Sequence, residues 1–357
     1  MKKLNLAIIG QGRSGKDIHG VYYISDENQY YTVKYVVDAD ERRREISKNR
    51  YKGCEVFDDY RKLFDKNDID VVVNASYSHM HFEITKDLLE HGFNVLVEKP
   101  FCRNLYECDT LINLAKKNNL LLTVFQQTFF APYYEYTKEL MDSNKLGETK
   151  QISIRFNGFS RRWDWQTLQK KMGGNSYNTG PHPIGIALGL LDFDPNAEVV
   201  FSTHANTEMS SGDSDDFVKI IIKAPNKPIV DIEINNTDAY CDYNVKLQCS
   251  RGTYKATVGK YKMKYVVPGE NEERPYIEEF LQDSEGNPLY CSEKLITHEE
   301  EGAFAGTAFD VGTENFYKDM YFALTEGKPL RYTADQFKQV IGVIERVHAN
   351  NPLAVKF

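Results

Sequence analysis

Lys99 and His182 are two residues of this chain whose types and settings suit proton chemistry on an alcohol. Lys99 closes the apolar run Asn94–Glu98 and precedes Pro100, so its ammonium stands at a strand end where it can polarise an oxygen. His182 ends the stretch GGNSYNTGPH, residues 173–182, just ahead of the apolar segment Ile184–Leu191. An imidazole with an unperturbed pKa of about 6.5 exchanges protons near neutrality. Oxidising a secondary alcohol takes a base for the hydroxyl proton, a donor or cation for the developing alkoxide, and a hydride acceptor above the C–H bond. Lys99 and His182 fit the first two needs, and which of them is the primary base stays open.

The third need points to the N-terminus. LNLAII at 4–9 is a short apolar run, and Gly10-Gln11-Gly12-Arg13-Ser14-Gly15 follows at once; after a helix the run Val33–Val37 ends in Asp38. This is the strand, glycine turn, helix, strand and acid of a dinucleotide site. Gly10 permits the tight turn, Gly12 lets backbone approach a pyrophosphate, and Gly15 lets the helix pack closely with its N–H groups facing the anion. A carboxylate at Asp38 accepts from a free ribose 2′-hydroxyl and repels a 2′-phosphate, so NAD is favoured over NADP. Arg42, Arg43 and Arg44 could pair with such a phosphate, but Asp40, Glu41 and Glu45 lie among them and the run reads as a solvated helix face.

These groups need a scaffold that gathers them. Strand-like Asp70–Ala75, helical Met80–His91, strand-like Asn94–Glu98, helical Leu105–Asn118 and strand-like Leu120–Phe125 alternate as βαβ units do. Ligands of such sheets sit at the carboxyl ends of the strands. Ser76, Tyr77, His79, His81, Glu98 and Gln127 therefore join the glycine turn and Asp38 as expected cofactor neighbours. His79 and His81 lack a third ligand nearby, and no metal is expected. Beyond a helix at Pro132–Asn144 come strand-like runs at Gln151–Phe159, Val199–Ala205, Val218–Lys223, Ile229–Ile234, Asn244–Ser250 and Thr253–Val258, then helices at Phe309–Thr325 and Ala334–Ala349.

With 357 residues, at roughly 150 per domain, two domains are expected: 1–128 for the dinucleotide and 129–357 for substrate and oligomer contacts. The net charge of −8 and the interleaved cations argue against nucleic acid. No apolar run approaches the roughly 20 residues of a membrane span, and MKKLNLAIIG reads as a first strand rather than a signal peptide. Six scattered cysteines with no C-x-x-C pair suit reduced thiols, hence a cytoplasmic setting.

AIIGQGRSG at 7–15, SYSHMHFE at 76–83, VLVEKPF at 95–101, GGNSYNTGPHPIG at 173–185 and the C-terminal PLRYTADQFKQVIGVIERVHAN together resemble the glucose-fructose oxidoreductase, inositol dehydrogenase and rhizopine catabolism (Gfo/Idh/MocA) family. The resemblance covers nearly the whole chain. It implies an α/β fold: an N-terminal Rossmann domain, then a C-terminal α/β domain with a large, mostly antiparallel open sheet that serves homo-oligomer contact. It also implies that Lys99 and His182 are catalytic. The family normally has aspartate four residues before the histidine, where this chain has Asn178, and proline where it has Tyr77. Asparagine can hydrogen-bond a hydroxyl but cannot take a proton, so Asn178 is expected to position substrate.

Both tryptophans of the chain fall in Ser160-Arg161-Arg162-Trp163-Asp164-Trp165-Gln166. Trp163 or Trp165 can stack on a pyranose while Arg161 and Asp164 meet hydroxyls, with Tyr177 closing the pocket; an interdomain packing role is the alternative. The tryptophan segment and Asn178 look most like family members that oxidise C3 of a glucoside, including those serving C-glycoside deglycosylation, where a downstream lyase would act on the 3-keto product. An inositol or free-sugar dehydrogenase and a non-catalytic NAD-binding sensor are the alternatives. Residues 267–300, which carry two acidic clusters, resemble no strand and read as an insertion at an oligomer surface or pocket rim.

Overall fold

Strands β1 (Leu4–Ile9), β2 (Tyr31–Val37), β3 (Glu55–Phe57), β4 (Val71–Asn74), β5 (Val95–Val97) and β6 (Leu122–Val124) form one sheet in the order β3-β2-β1-β4-β5-β6. Every neighbouring pair is parallel. The computed structural model describes residues 2–357. Val71, Val72 and Val73 are all buried, which is why this strand reads as an unbroken apolar run: helices cover both faces of a parallel sheet. The helices are α1 (Gly20–Ile24), preceded by a π-helical segment at Arg13–His19, then α2 (Glu41–Arg50), α3 (His81–Glu90) and α4 (Leu105–Asn118). Asn104 caps α4 by accepting from the Glu107 N–H, and Asn119 ends it in the left-handed conformation at φ 52°. Chain order reverses between β1 and β4, the place where such sheets open a crevice for a dinucleotide.

After α5 (Pro132–Asp142) the second sheet begins. It contains β7 (Thr149–Asn157), β8 (Glu198–Ala205), β9 (Phe217–Lys223), β10 (Ile229–Asn235), β11 (Val245–Cys249), β12 (Gly252–Ala256), β13 (Lys260–Tyr265) and β14 (His298–Ala303). The order is β14-β13-β12-β11-β7-β10-β9-β8, with β7 and β10 parallel and the other neighbours antiparallel. This is the large, mostly antiparallel sheet that the resemblance implies. Ile152, Ile154, Ile220, Ile232 and Leu247 alternate onto one buried face. Ser153, Arg155, Lys219, Asp231 and Lys246 fall on the other face.

Two strands depart from the expectation. β13 was not anticipated, and β14 begins at His298, inside the stretch 267–300 expected to hold no strand. HEEEGA has no apolar alternation to betray it. Its pairing with lysine-rich β13 is electrostatic at the surface, with Lys264 and Glu299 in register and 2.8 Å apart.

α6 (Asn175–Asn178) and α7 (Pro181–Leu190) lie between β7 and β8, while α8 (Thr313–Glu326) and α9 (Ala334–Asn350) close the chain. α9 joins the two sheets: it packs on β8 and on α4, and Lys338 and Lys116 pair with Asp109 and Asp335 at 2.5 and 3.0 Å. Among the described residues no helix is long and apolar enough to cross a membrane, and the six cysteines are free thiols.

Candidate active site

The glycine turn has three distinct steric environments. Gly10 has φ 89°, and a Cβ there would lie 2.4 Å from the Ala75 carbonyl oxygen. At Gly15 a Cβ would lie 1.9 Å from the carbonyl of Gly10, so any side chain would push the helix off β1. At Gly12 a Cβ would meet nothing within 4 Å. Gly12 thus borders open space at a helix start, the room a pyrophosphate needs beside N–H donors. Arg13 is exposed and Ser14 half-buried at this rim, and Gln11 is buried.

Asp38, at the end of β2, is buried and accepts from the backbone N–H of Gln11 at 2.7 Å and of Asp40 at 2.9 Å. These bonds lock the glycine turn to β2. Arg43 approaches Asp38 to 3.6 Å, while Arg44 donates to the carbonyls of Asp38 and Ala39. The carboxylate thus stands at the end of β2 with one guanidinium beside it, a pair that fits the adenosine ribose of either NAD or NADP.

Ser76 follows β4 and donates to Asn74 at 2.7 Å. His81 is fully buried between two carbonyls, with Nδ1 2.8 Å from Pro100 O and Nε2 3.2 Å from Ser76 O. It staples the β4 and β5 loops together. Burial lowers its pKa below the ordinary histidine range. His79 faces Lys171 of the second domain at 2.9 Å, and Tyr77, half-exposed, meets Trp165 edge-on at 5.0 Å. These last two contacts tie the domains together along one side of the crevice. Gln127, after β6, is buried with an unpartnered Oε1.

Lys99 follows β5 and precedes a cis peptide bond to Pro100. Its ammonium donates to the carbonyl of Asn178 at 2.7 Å. Burial lowers its pKa, partly offset by the neighbouring Glu98. Glu98 is buried too; it accepts from the Lys99 N–H at 2.9 Å and lies 3.0 Å from His19 Nε2. His19 in turn meets the Tyr317 hydroxyl at 2.6 Å, and Tyr23 donates to that same oxygen. Burial pushes the Glu98 carboxyl up, but His19 and Lys99 more than offset it and hold it ionised. Sequence reading missed this chain of groups. The one available signal was a histidine four residues after Gly15, with its tyrosine partner almost 300 positions away.

α7 brings His182 to the same place. Pro181 starts the helix, and its carbonyl accepts from the Gln126 amide at 2.7 Å, seating the helix on the end of β6. Gly185 makes this approach possible, since a Cβ there would lie 3.0 Å from Phe129. His182 Nδ1 is 3.4 Å from the Thr128 hydroxyl. Its pKa is pushed down to about 3, first by burial and then by Lys99. The imidazole is neutral at ordinary pH, and the lysine charge beside it opposes its protonation.

Asn178 contacts Lys99 and lies four residues before His182. Its carbonyl holds Lys99, and its side-chain oxygen accepts from Gln166 at 2.9 Å; Gln166 contacts Arg162, whose guanidinium pairs with Asp164 at 2.9 Å. Behind α6, Asp215 accepts from the Ser176 N–H and hydroxyl at 2.7 and 2.8 Å, fixing the helix. Trp165 lies half-buried beside Tyr77, whereas Trp163 is 78% exposed and Arg161 also faces solvent. Tyr177 is turned into the fold: it is buried, stacks on His348 and donates to the Arg103 carbonyl at 2.7 Å. A cleft of about 680 Å³ opens elsewhere, against α9, but it holds none of the groups above.

The family model described as an oxidoreductase family with an NAD-binding Rossmann fold matches residues 4–126, and the model of its Gfo/Idh/MocA C-terminal domain matches residues 134–255. The chain belongs to the Gfo/Idh/MocA family. It is a family of NAD-binding oxidoreductases. Among its relatives, an uncharacterized oxidoreductase of Schizosaccharomyces pombe is 28% identical over 197 residues, 54% of this chain and 52% of that one. A scyllo-inositol 2-dehydrogenase (NADP(+)) of Bacillus subtilis is 23% identical over 190 residues, 53% of this chain and 52% of the enzyme. Both matches thus span about half the relative's length. A 3-ketoreductase from Actinomadura kijaniata, solved with NADP and TDP-benzene, superposes with a TM-score of 0.77 over 98% of each chain at 15% identity, and so shares the fold.

Proposed function

We propose that this oxidoreductase of the Gfo/Idh/MocA family removes hydride from a secondary hydroxyl of a sugar or glycoside, most readily C3 of a glucoside, with NAD as acceptor. The observation that carries this reading is the meeting of Lys99, Asn178 and His182 at the carboxyl end of the Rossmann sheet. Neutral His182 takes the hydroxyl proton, and the Lys99 ammonium steadies the oxygen as negative charge develops on it. Bound nicotinamide supplies the two-electron acceptor. Asn178 orients the lysine through its carbonyl and offers its amide to a neighbouring hydroxyl. Trp165 and Arg162, from the segment that holds both tryptophans, lie close enough to the crevice to receive a pyranose ring. A 3-keto product has an acidified C2–H, the substrate a downstream lyase needs to expel an aglycone.

NAD is supported by the buried Asp38 carboxylate where a 2′-phosphate would fall. Two of the proteins above use or bind NADP, and Arg43 beside Asp38 is the group through which this chain could do the same. The test is mass spectrometry of glucosides, free sugars and inositols incubated with the protein and either NAD or NADP. A product two hydrogens lighter from a glucoside, absent with His182→Ala, is the expected result. If only an inositol or free sugar is oxidised, the inositol or free-sugar dehydrogenase reading replaces it. Dinucleotide binding without oxidation of any compound would favour a sensor.

A further inference from the structure

His204, Asp215 and His348 meet behind α6. They come from the end of β8, the loop ahead of β9 and the last turn of α9, and one donor atom of each lies within 4.8 Å of the other two. Positions 204, 215 and 348 are too far apart to form a motif, so nothing in the sequence announces the cluster.

Hydrogen bonds fix the state of these groups. His204 Nε2 contacts the Asn351 carbonyl, which can only accept, so the proton of the neutral ring sits on Nε2 and Nδ1 carries a bare lone pair. That Nδ1 has no hydrogen-bond partner, on a side chain with no solvent exposure, and it faces Asp215 Oδ1 across 3.9 Å. Asp215 is equally shielded. It accepts from the N–H and hydroxyl of Ser176, and among the described residues no Lys or Arg pairs with it. A buried carboxylate without a counter-charge is costly, and so is a buried acceptor aimed at another acceptor. Even with a proton on Nδ1, 3.9 Å is too long for a hydrogen bond. A cation shared between the two atoms meets both needs.

We propose that His204 Nδ1, Asp215 Oδ1 and His348 bind zinc(II), with the Ser176 hydroxyl in the fourth position. That hydroxyl lies 2.8 Å from both Asp215 Oδ1 and His348 Nε2. Two imidazoles and a carboxylate suit zinc, whereas magnesium and calcium take oxygen donors. The Asn351 carbonyl is the outer partner that a metal-bound histidine ordinarily has, fixing its tautomer and orientation. Tyr177 stacks on His348 with ring centroids 5.1 Å apart, and His348 is only half-buried, which leaves an entry path. Tetrahedral zinc sets its donors roughly 3.3 Å apart, so the cluster closes by up to ~1.5 Å on binding. The ion would tie β8 and α9 to α6, whose Asn178 carbonyl grips Lys99. This site stands whatever substrate the crevice takes.

The test uses the full chain, reduced and stripped with a chelator, as wild type, His204→Gln and His348→Gln. Glutamine at 204 keeps a donor near the Asn351 carbonyl and removes the ligand nitrogen. Isothermal titration with zinc should give one ion per wild-type chain, a melting temperature that rises with zinc, and affinity at least tenfold weaker in each variant. Cobalt(II) in place of zinc separates this cluster from the free thiols, because nitrogen and oxygen donors give no thiolate charge-transfer band. A wild-type crystal grown with zinc should show an anomalous peak between the three side chains, a result that needs neither variant to fold. Failure of zinc to bind, equal affinity in the variants, a thiolate band or a peak elsewhere would each overturn the proposal. A proton on His204, drawn to Asp215, would then be the charge that fills the gap.

Discussion

The ammonium of Lys99 donates to the backbone carbonyl of Asn178 at 2.7 Å, so a lysine from the Rossmann sheet is gripped by the short helix that leads into His182. A main-chain acceptor places the charge without neutralising it. Lys99→Met should lower kcat/KM by about 10²–10⁴-fold while leaving dinucleotide affinity nearly unchanged. Lys99→Arg should not restore activity, because a planar guanidinium cannot reproduce a compact ammonium in this space. Steady-state kinetics on whichever sugar is turned over, with cofactor binding followed by fluorescence titration, checks both variants.

His182 is predicted to make the fold sensitive to acid. Its pKa of about 3 in the folded chain lies below the roughly 6.5 of an unfolded histidine, so the unfolded state binds the proton more readily. This contribution to stability is complete above about pH 6.5 and is lost as pH falls toward 3. Melting temperatures of the wild type and His182→Asn, compared from pH 7 down to pH 4, should converge or cross as the wild type loses more. An equal acid loss in both would remove His182 as its source.

Asn178→Asp would place a carboxylate one turn ahead of His182 and beside Lys99. Opposite charge favours protonated imidazole, moving its pKa up by about one unit or more. The acid limb of kcat/KM should therefore move up from about pH 3 to about pH 4 or higher in the variant, read over profiles that extend down to the acid side. If the two pH profiles coincide, the side chain at 178 is electrostatically remote from the base.

Gly12 and Gly15 should respond to alanine in opposite ways. Gly12→Ala adds a methyl to open space, so melting should be unchanged while NAD affinity falls tenfold or more through loss of pyrophosphate approach. Gly15→Ala forces a Cβ onto the Gly10 carbonyl and should destabilise the folded chain by about 1–3 kcal/mol or more. Thermal melts alongside isothermal titration with NAD separate the two effects.

The sequence by itself determined the Rossmann half, because unbroken Val and Ile runs ending in a glycine turn and an acid are local patterns with local causes. It also marked Lys99 and His182 as candidates, and the family resemblance pointed to the second sheet. Tertiary structure alone decided the rest. The carbonyl of Asn178 rather than its side chain holds Lys99, and a backbone acceptor leaves no mark on residue type. His19, Glu98 and Tyr317 join across almost 300 residues, and Tyr177 turns inward to Arg103 although its neighbour Asn178 bonds Gln166. β14 pairs through charge rather than through an apolar alternation, so its pattern became legible only when β13 lay beside it. Each of these depends on which distant groups burial forces together, and a desolvated polar atom takes the partner that folding brings within reach.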